Sequence, residues 1–129
     1  MVDEAAQARW LPAAAALSAA ISIAVGAAAV HTVHDPVARG WLQTGTQFQL
    51  PHAIAVFAVL GWRDTERVRF AAWVLLAGSL VFAGSLDLMV LGLPRWFGAI
   101  TPIGGLAMIL GWLGLTAAAI RPERPRSSS

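Results

Sequence analysis

The stretch Gly84 to Trp112, GSLDLMVLGLPRWFGAITPIGGLAMILGW, joins two apolar segments through a short turn. Val68 to Leu93 holds Asp87 as its one ionisable residue beyond Arg69 at the edge, and Gly98 to Ile120 holds none. Each exceeds the roughly 20 residues that cross a hydrocarbon core. A hairpin of membrane-spanning helices follows, against which the rest of the chain must pack. The 129 residues are 57% hydrophobic and 12% charged, with mean hydropathy +0.66. That composition excludes a soluble domain with a polar shell and predicts an all-α integral membrane protein, a four-helix bundle in one domain.

Residues 1–9 form a polar lead, and Trp10 to Val33 then runs without a charged residue, His31 being its only titratable group. This run exceeds the apolar core of a signal peptide, and the lead carries two acids against one arginine, so a retained first span is expected. Ser18, Ser22 and Gly26 recur every fourth residue, a small-residue stripe that lets another helix approach. His34, Asp35 and Pro36 are expected to end this helix, with a loop through Arg39 and Trp41 leading to a second span over 43–62. The apolar part of that span, Phe48 to Trp62, is too short to cross, so Gln43, Thr44, Gln47 and Gln49 must supply its missing turns. Pro51 would lie inside it and kink the helix beside His52. A charged loop, Arg63 to Arg69, precedes the third span over 68–93; the fourth covers 98–120, with Thr101 and Pro102 resembling an N-cap and first-turn proline. The tail 121–129 is polar, proline-rich and expected to be disordered.

All nine basic residues are arginines, and the formal charge is only +2. They sit in short loops rather than in one stripe, which argues against nucleic-acid binding. With four spans, Arg9, the trio Arg63, Arg67 and Arg69, and the trio Arg121, Arg124 and Arg126 share one side against Arg39 and Arg95 on the other. The positive-inside rule then places both termini in the cytoplasm of a bacterial inner membrane. Trp10, Trp41, Trp62 and Trp96 fall at helix ends, where an interfacial belt is expected, while Trp112 lies deeper.

On this layout His31, His34, Asp35, Gln47, His52, Asp87 and Thr101 all fall in the outer half of the membrane. An intramembrane acid should face the interior with a partner, for which His52 and His31 are the nearest candidates. Three roles are open for the group: hydrogen bonds that pin helices together, a small-molecule, proton or ion site at His31, Gln47, His52, Asp87 and Thr101, or ligation of a haem by His31 and His52, or of a metal with His34 and Asp35 added. HTVHD lacks the HExxH spacing of a zinc helix, and neither a metal nor a cofactor is expected. Cysteine is absent, as are GxSxG, Walker and dinucleotide glycine motifs, so an enzyme is not expected. Gly84, Gly104, Gly105 and Gly111 are expected to serve close helix packing.

GAAAVH (Gly26 to His31), TGTQFQLPHAIAV (Thr44 to Val56) and the pair GSLDLMVLG and GAITPIGGLAMILGW resemble the motifs of the domain of unknown function 423 family. That family of small membrane proteins includes bacterial inner-membrane proteins of about four spans and is similar to the eukaryotic transmembrane protein 256 group. The resemblance covers nearly all of 15–120 and implies the same fold and location without implying an activity. Asp87 stands where the family pattern has an aromatic, usually Tyr, and Pro51 where it more often has a large side chain. The expected function is a non-catalytic structural or accessory component, packing in the lipid bilayer with copies of itself or with a larger complex. The alternative is a small carrier or channel-like protein that binds a proton, cation or polar solute in the outer cluster.

Overall fold

The computed structural model describes residues 4–122; most of the expected disordered tail, from residue 123 on, lies outside them. Four long helices follow one another: α1 Glu4–Thr32, α2 Pro36–Trp62, α3 Glu66–Val90 and α4 Thr101–Ile120, with a 3-10 turn Arg95–Ala99 before α4. The all-α, four-helix expectation holds. Among the described residues three segments are long and apolar enough to cross a membrane: Ala8–Thr32, Glu66–Val90 and Arg95–Ile120. α2 falls short on apolarity rather than length, since its 27 residues extend about 40 Å at 1.5 Å per residue.

The helix limits depart from expectation where capping residues set them. Asp35 and Pro36 do not lead into a loop. Asp35 is the N-cap of α2, its carboxylate accepting from the amides of Val37 at 3.4 Å and Ala38 at 3.1 Å, and Pro36 occupies the first turn. Arg39 and Trp41 are therefore helical, and only Val33 to Asp35 separates α1 from α2. Thr65 caps α3 by accepting from the Val68 amide at 3.4 Å. α3 stops at Val90 rather than Leu93, because Gly92, at φ +98°, turns the chain back. The amides of Gly92 and Leu93 bond the carbonyls of Met89 at 3.2 Å and Leu88 at 3.1 Å, the paired pattern of a Schellman close. Pro102 opens α4 as expected, but Thr101 does not cap it. α2 is continuous through Pro51.

Successive helices run antiparallel, so the chain enters α1 and leaves α4 at the same end. α3 is the centre: it packs on α2 and α4 along its length, while α1 lies on α2 and only brushes α3. Among the described residues α1 and α4 are not neighbours, no Cα of one coming within 8 Å of the other. The buried positions explain this order. α4 buries Gly104, Met108, Gly111, Leu115 and Ala118, an alternation of four and three residues that makes one narrow seam. α3 buries Val68, Ala71, Ala72, Leu75, Leu76, Gly78, Ser79, Ala83, Ser85 and Leu86, two adjacent seams on one helix. Leu11, Ala15, Val56, Ala72 and Leu76 form the core where α1, α2 and α3 meet. Val68, Ala71, Leu75, Leu115 and Ala118 form the one between α3 and α4.

Candidate functional site

The polar residues inside the helices are distributed along the seams between them. Between α1 and α2, Gln49 donates from Nε2 to the Ser18 hydroxyl at 3.1 Å and to the Ser18 carbonyl at 3.2 Å. One turn nearer the α1–α2 linker, Ser22 donates to the Thr46 carbonyl at 3.5 Å. A Cβ on Gly26 would meet Thr46 Cγ2 at 3.4 Å, so the stripe Ser18, Ser22 and Gly26 faces α2. Gln47 is exposed and Gln49 buried. Gln49 shares the three-and-four spacing of Leu42, Gly45, Ala53 and Val56, a periodicity that could have singled it out and that Gln47 does not share.

Between α3 and α4 the backbones themselves touch. A Cβ on Gly104 would stand 2.5 Å from the Phe82 nitrogen and 2.6 Å from the Gly78 carbonyl oxygen, and one on Gly78 2.9 Å from the Gly104 oxygen. Gly111 is pressed by the Leu75 side chain, 2.7 Å from such a carbon. The other expected packing glycines behave differently. Gly105 would reach only the Phe82 ring, at 3.8 Å, and Gly84 has nothing within 4 Å. Gly78, not anticipated, is the partner that Gly104 requires. At one end of this seam the hydroxyls of Ser85 and Thr101 are 2.6 Å apart; joining α4 to α3 is what Thr101 does in place of capping.

His52 lies between α2 and α4. Its Nδ1 is 2.6 Å from the Phe48 carbonyl oxygen, and the Trp112 indole donates to its Nε2 at 3.1 Å. A carbonyl only accepts and an indole N–H only donates, so the imidazole carries its proton on Nδ1 and both ring nitrogens are engaged. Phe48 packs on Phe82 at 4.7 Å between centroids, completing a group that spans three helices.

His31 belongs elsewhere. With Ser18 opposite Gln49 and Ser22 opposite Thr46, His31 comes level with the start of α2, where it is exposed. His52 is about 24 Å further along α2 at 1.5 Å per residue. The two histidines are therefore not at similar depth, and a haem between them has no geometric basis. His34 and Asp35 sit at the same rim as His31. Among the described residues no three His, Cys, Asp or Glu side chains gather as a metal would require.

Asp87 is in the last turn of α3, shallower than expected, because the helix closes at Val90. It faces α2 at Gly45, where a Cβ would stand 3.6 Å from its Oδ1. Oδ1 is buried without a hydrogen bond, as is the hydroxyl of Thr46. Neither His52 nor His31 partners it. At the ends of the helices arginines close the turns: Arg39 donates to the Val33 carbonyl from Nε at 3.0 Å and Nη2 at 2.6 Å, and Arg63 to the Ala118 carbonyl at 2.8 Å. Arg69 bonds Asp64 through Nη2 at 2.8 Å, and that hydrogen bond holds the Asp64 carboxyl below the usual carboxylate range. Trp10 and Trp62 are exposed near helix ends and Trp96 on the turn before α4, as an interfacial belt requires.

Comparison with known proteins agrees with a membrane location. Residues 25–105 match the model of a family described as proteins of unknown function, DUF423. The UPF0382 inner membrane protein YgdD of Escherichia coli strain K12 is 34% identical over 119 residues, covering 85% of this chain and 88% of the relative. The UPF0382 membrane protein YwdK of Bacillus subtilis strain 168 is 32% identical over 113 residues, 82% of this chain and 92% of the relative. SAB0533 of Staphylococcus aureus, also named a UPF0382 membrane protein, is 32% identical over 111 residues, 82% and 91%. No solved structure matches the chain, and none of these relatives is named for an enzymatic activity. By the extent of the family match and by relatives aligned over most of their length, the chain belongs to the DUF423 family of membrane proteins.

Proposed function

We propose that this protein is a non-catalytic structural or accessory component of an inner-membrane assembly, multi-pass, with both termini in the cytoplasm. One observation carries the proposal: three pairs of polar side chains join three different helix pairs at different levels, rather than converging on one cavity. Gln49 with Ser18 joins α1 to α2, Ser85 with Thr101 joins α3 to α4, and His52 with Trp112 joins α2 to α4. Because α1 and α4 are not neighbours among the described residues, the broad apolar faces of both remain open to copies of the chain or to another membrane protein. The inner-membrane location is supported by the name of the Escherichia coli relative, and the orientation by the arginine count. Native mass spectrometry after gentle extraction from the membrane tests the role. Extra protein mass at fixed stoichiometry is expected; a strict monomer, with no partner captured by crosslinking in membranes, refutes it.

A carrier role for a proton, cation or polar solute is supported by Asp87, whose Oδ1 is buried without a partner beside Gly45. It requires flux into proteoliposomes that Asp87→Asn abolishes while the helical content is kept. Equal flux in that variant and the parent, or none in either, removes it.

A further inference from the structure

At the end of the molecule opposite the start of α1 and the end of α4, the first turn of α2 and the turn that follows α3 enclose an open cleft of about 420 Å³. Asp35 and Arg95 line it together with Val37, Trp41, Met89 and Leu93. Two opposite charges thus share one small space without pairing, since no ion pair joins them. Asp35 is held in place as the cap of α2, accepting from the Val37 and Ala38 amides, and its oxygens keep lone pairs to spare. The described residues offer the Arg95 guanidinium no hydrogen bond or ion pair. Beside exposed His34, large apolar side chains stand open next to these two charges: Val37 is 55% exposed, Leu91 78% and Trp96 63%. The cleft lies at helix ends, the depth at which a bilayer places its headgroups.

We propose that this cleft is a headgroup site for a zwitterionic phospholipid, with the phosphate on Arg95 and the ammonium on Asp35. A guanidinium is matched to phosphate oxygens by its fork of donors, and an ammonium supplies the hydrogen bonds that the free lone pairs of Asp35 accept. An anionic lipid without an ammonium would satisfy Arg95 but bring no cation to offset the Asp35 carboxylate. The exposed apolar side chains of Val37, Leu91 and Trp96 favour a lipid over a soluble phosphate ester by continuing from the headgroup site to where acyl chains lie. The site does not depend on the accessory role proposed above, only on the chain spanning a membrane.

The test is lipid retention by the purified full chain in mild detergent, read by native mass spectrometry. Phosphatidylethanolamine and phosphatidylglycerol with identical acyl chains are offered together. One phosphatidylethanolamine retained several-fold over phosphatidylglycerol is expected. Arg95→Gln should lower retention of both lipids at least five-fold. Asp35→Asn keeps a capping oxygen and should erase the preference while leaving total phospholipid retention in place. Phosphatidylglycerol retained as well as or better than phosphatidylethanolamine by the parent chain overturns the proposal, and that comparison needs no variant to fold. A preference that survives Asp35→Asn also overturns it. So does soluble glycerophosphoethanolamine displacing the lipid at equal concentration, which would mark a site for a water-soluble ester.

Discussion

Gly104→Ala adds one methyl group where α3 and α4 already touch backbone to backbone. Its carbon would stand 2.5 Å from the Phe82 nitrogen, 2.6 Å from the Gly78 oxygen and 2.8 Å from the Phe82 Cα. All three atoms are main chain, so no rotamer change relieves the overlap and α4 must retreat. Carbon atoms rest near 3.5–4.0 Å, so the retreat is about 1 Å, enough to forfeit a quarter to a half of each dispersion contact it opens. In lipid those contacts are much of what holds two helices together. Overpacking of this kind costs about 1–3 kcal/mol, against a helix-propensity gain of up to about 1 kcal/mol for replacing glycine with alanine. Gly105→Ala brings the same propensity gain but meets only the Phe82 ring at 3.8 Å, so the difference between these neighbours isolates the clash. Reversible unfolding by sodium dodecyl sulfate, followed by circular dichroism in mixed micelles, should place Gly104→Ala about 1–3 kcal/mol below Gly105→Ala, or about 5- to 150-fold in the folding equilibrium. Equal stability of the two variants would refute a backbone contact at Gly104.

Two further outcomes are expected. Gln49→Leu removes the bonds to Ser18 and should cost about 0.6–2 kcal/mol in the same assay; in a cycle with Ser18→Ala the two changes should be non-additive, and additive losses would mean the pair is not coupled. Asp64, whose carboxyl is held below its ordinary value of 3.8 by Arg69, contributes stability that is present above that value and lost as pH falls through the lower folded one. The pair is exposed, so the contribution is about 0.2–1 kcal/mol and weakens with salt. Carboxyl carbon shifts should show Asp64 titrating below the ordinary range, and Arg69→Gln should return it there.

Helix number and type were legible in the chain because length and apolarity decide them locally. The misplaced limits had local signals too: Asp35-Pro36 is a cap followed by a first-turn proline, and Gly92-Leu93-Pro94 is a helix close. The polar cluster was legible only in part. His31 and His52 come to similar depth only if α2 begins near residue 43; its start at Pro36 carries His52 deeper and away from His31. Polarity alone does not separate Gln49 from Gln47; the spacing of Gln49 from Gly45 and Ala53 marks it as interior.

By itself the sequence determined that this is a membrane protein of four helices joined by short links, since hydropathy, proline and glycine act within a few residues of where they stand. The tertiary structure decided which glycines matter and which polar groups meet. Gly104 and Gly105 are adjacent and identical in composition, yet one lies against the Phe82 backbone and the other within reach of a ring. Asp87 found Gly45 rather than a histidine. Both outcomes turn on how far one helix slides and rotates against another, and the small residues that permit close approach contribute to every register they allow, so only the packed set of helices selects one.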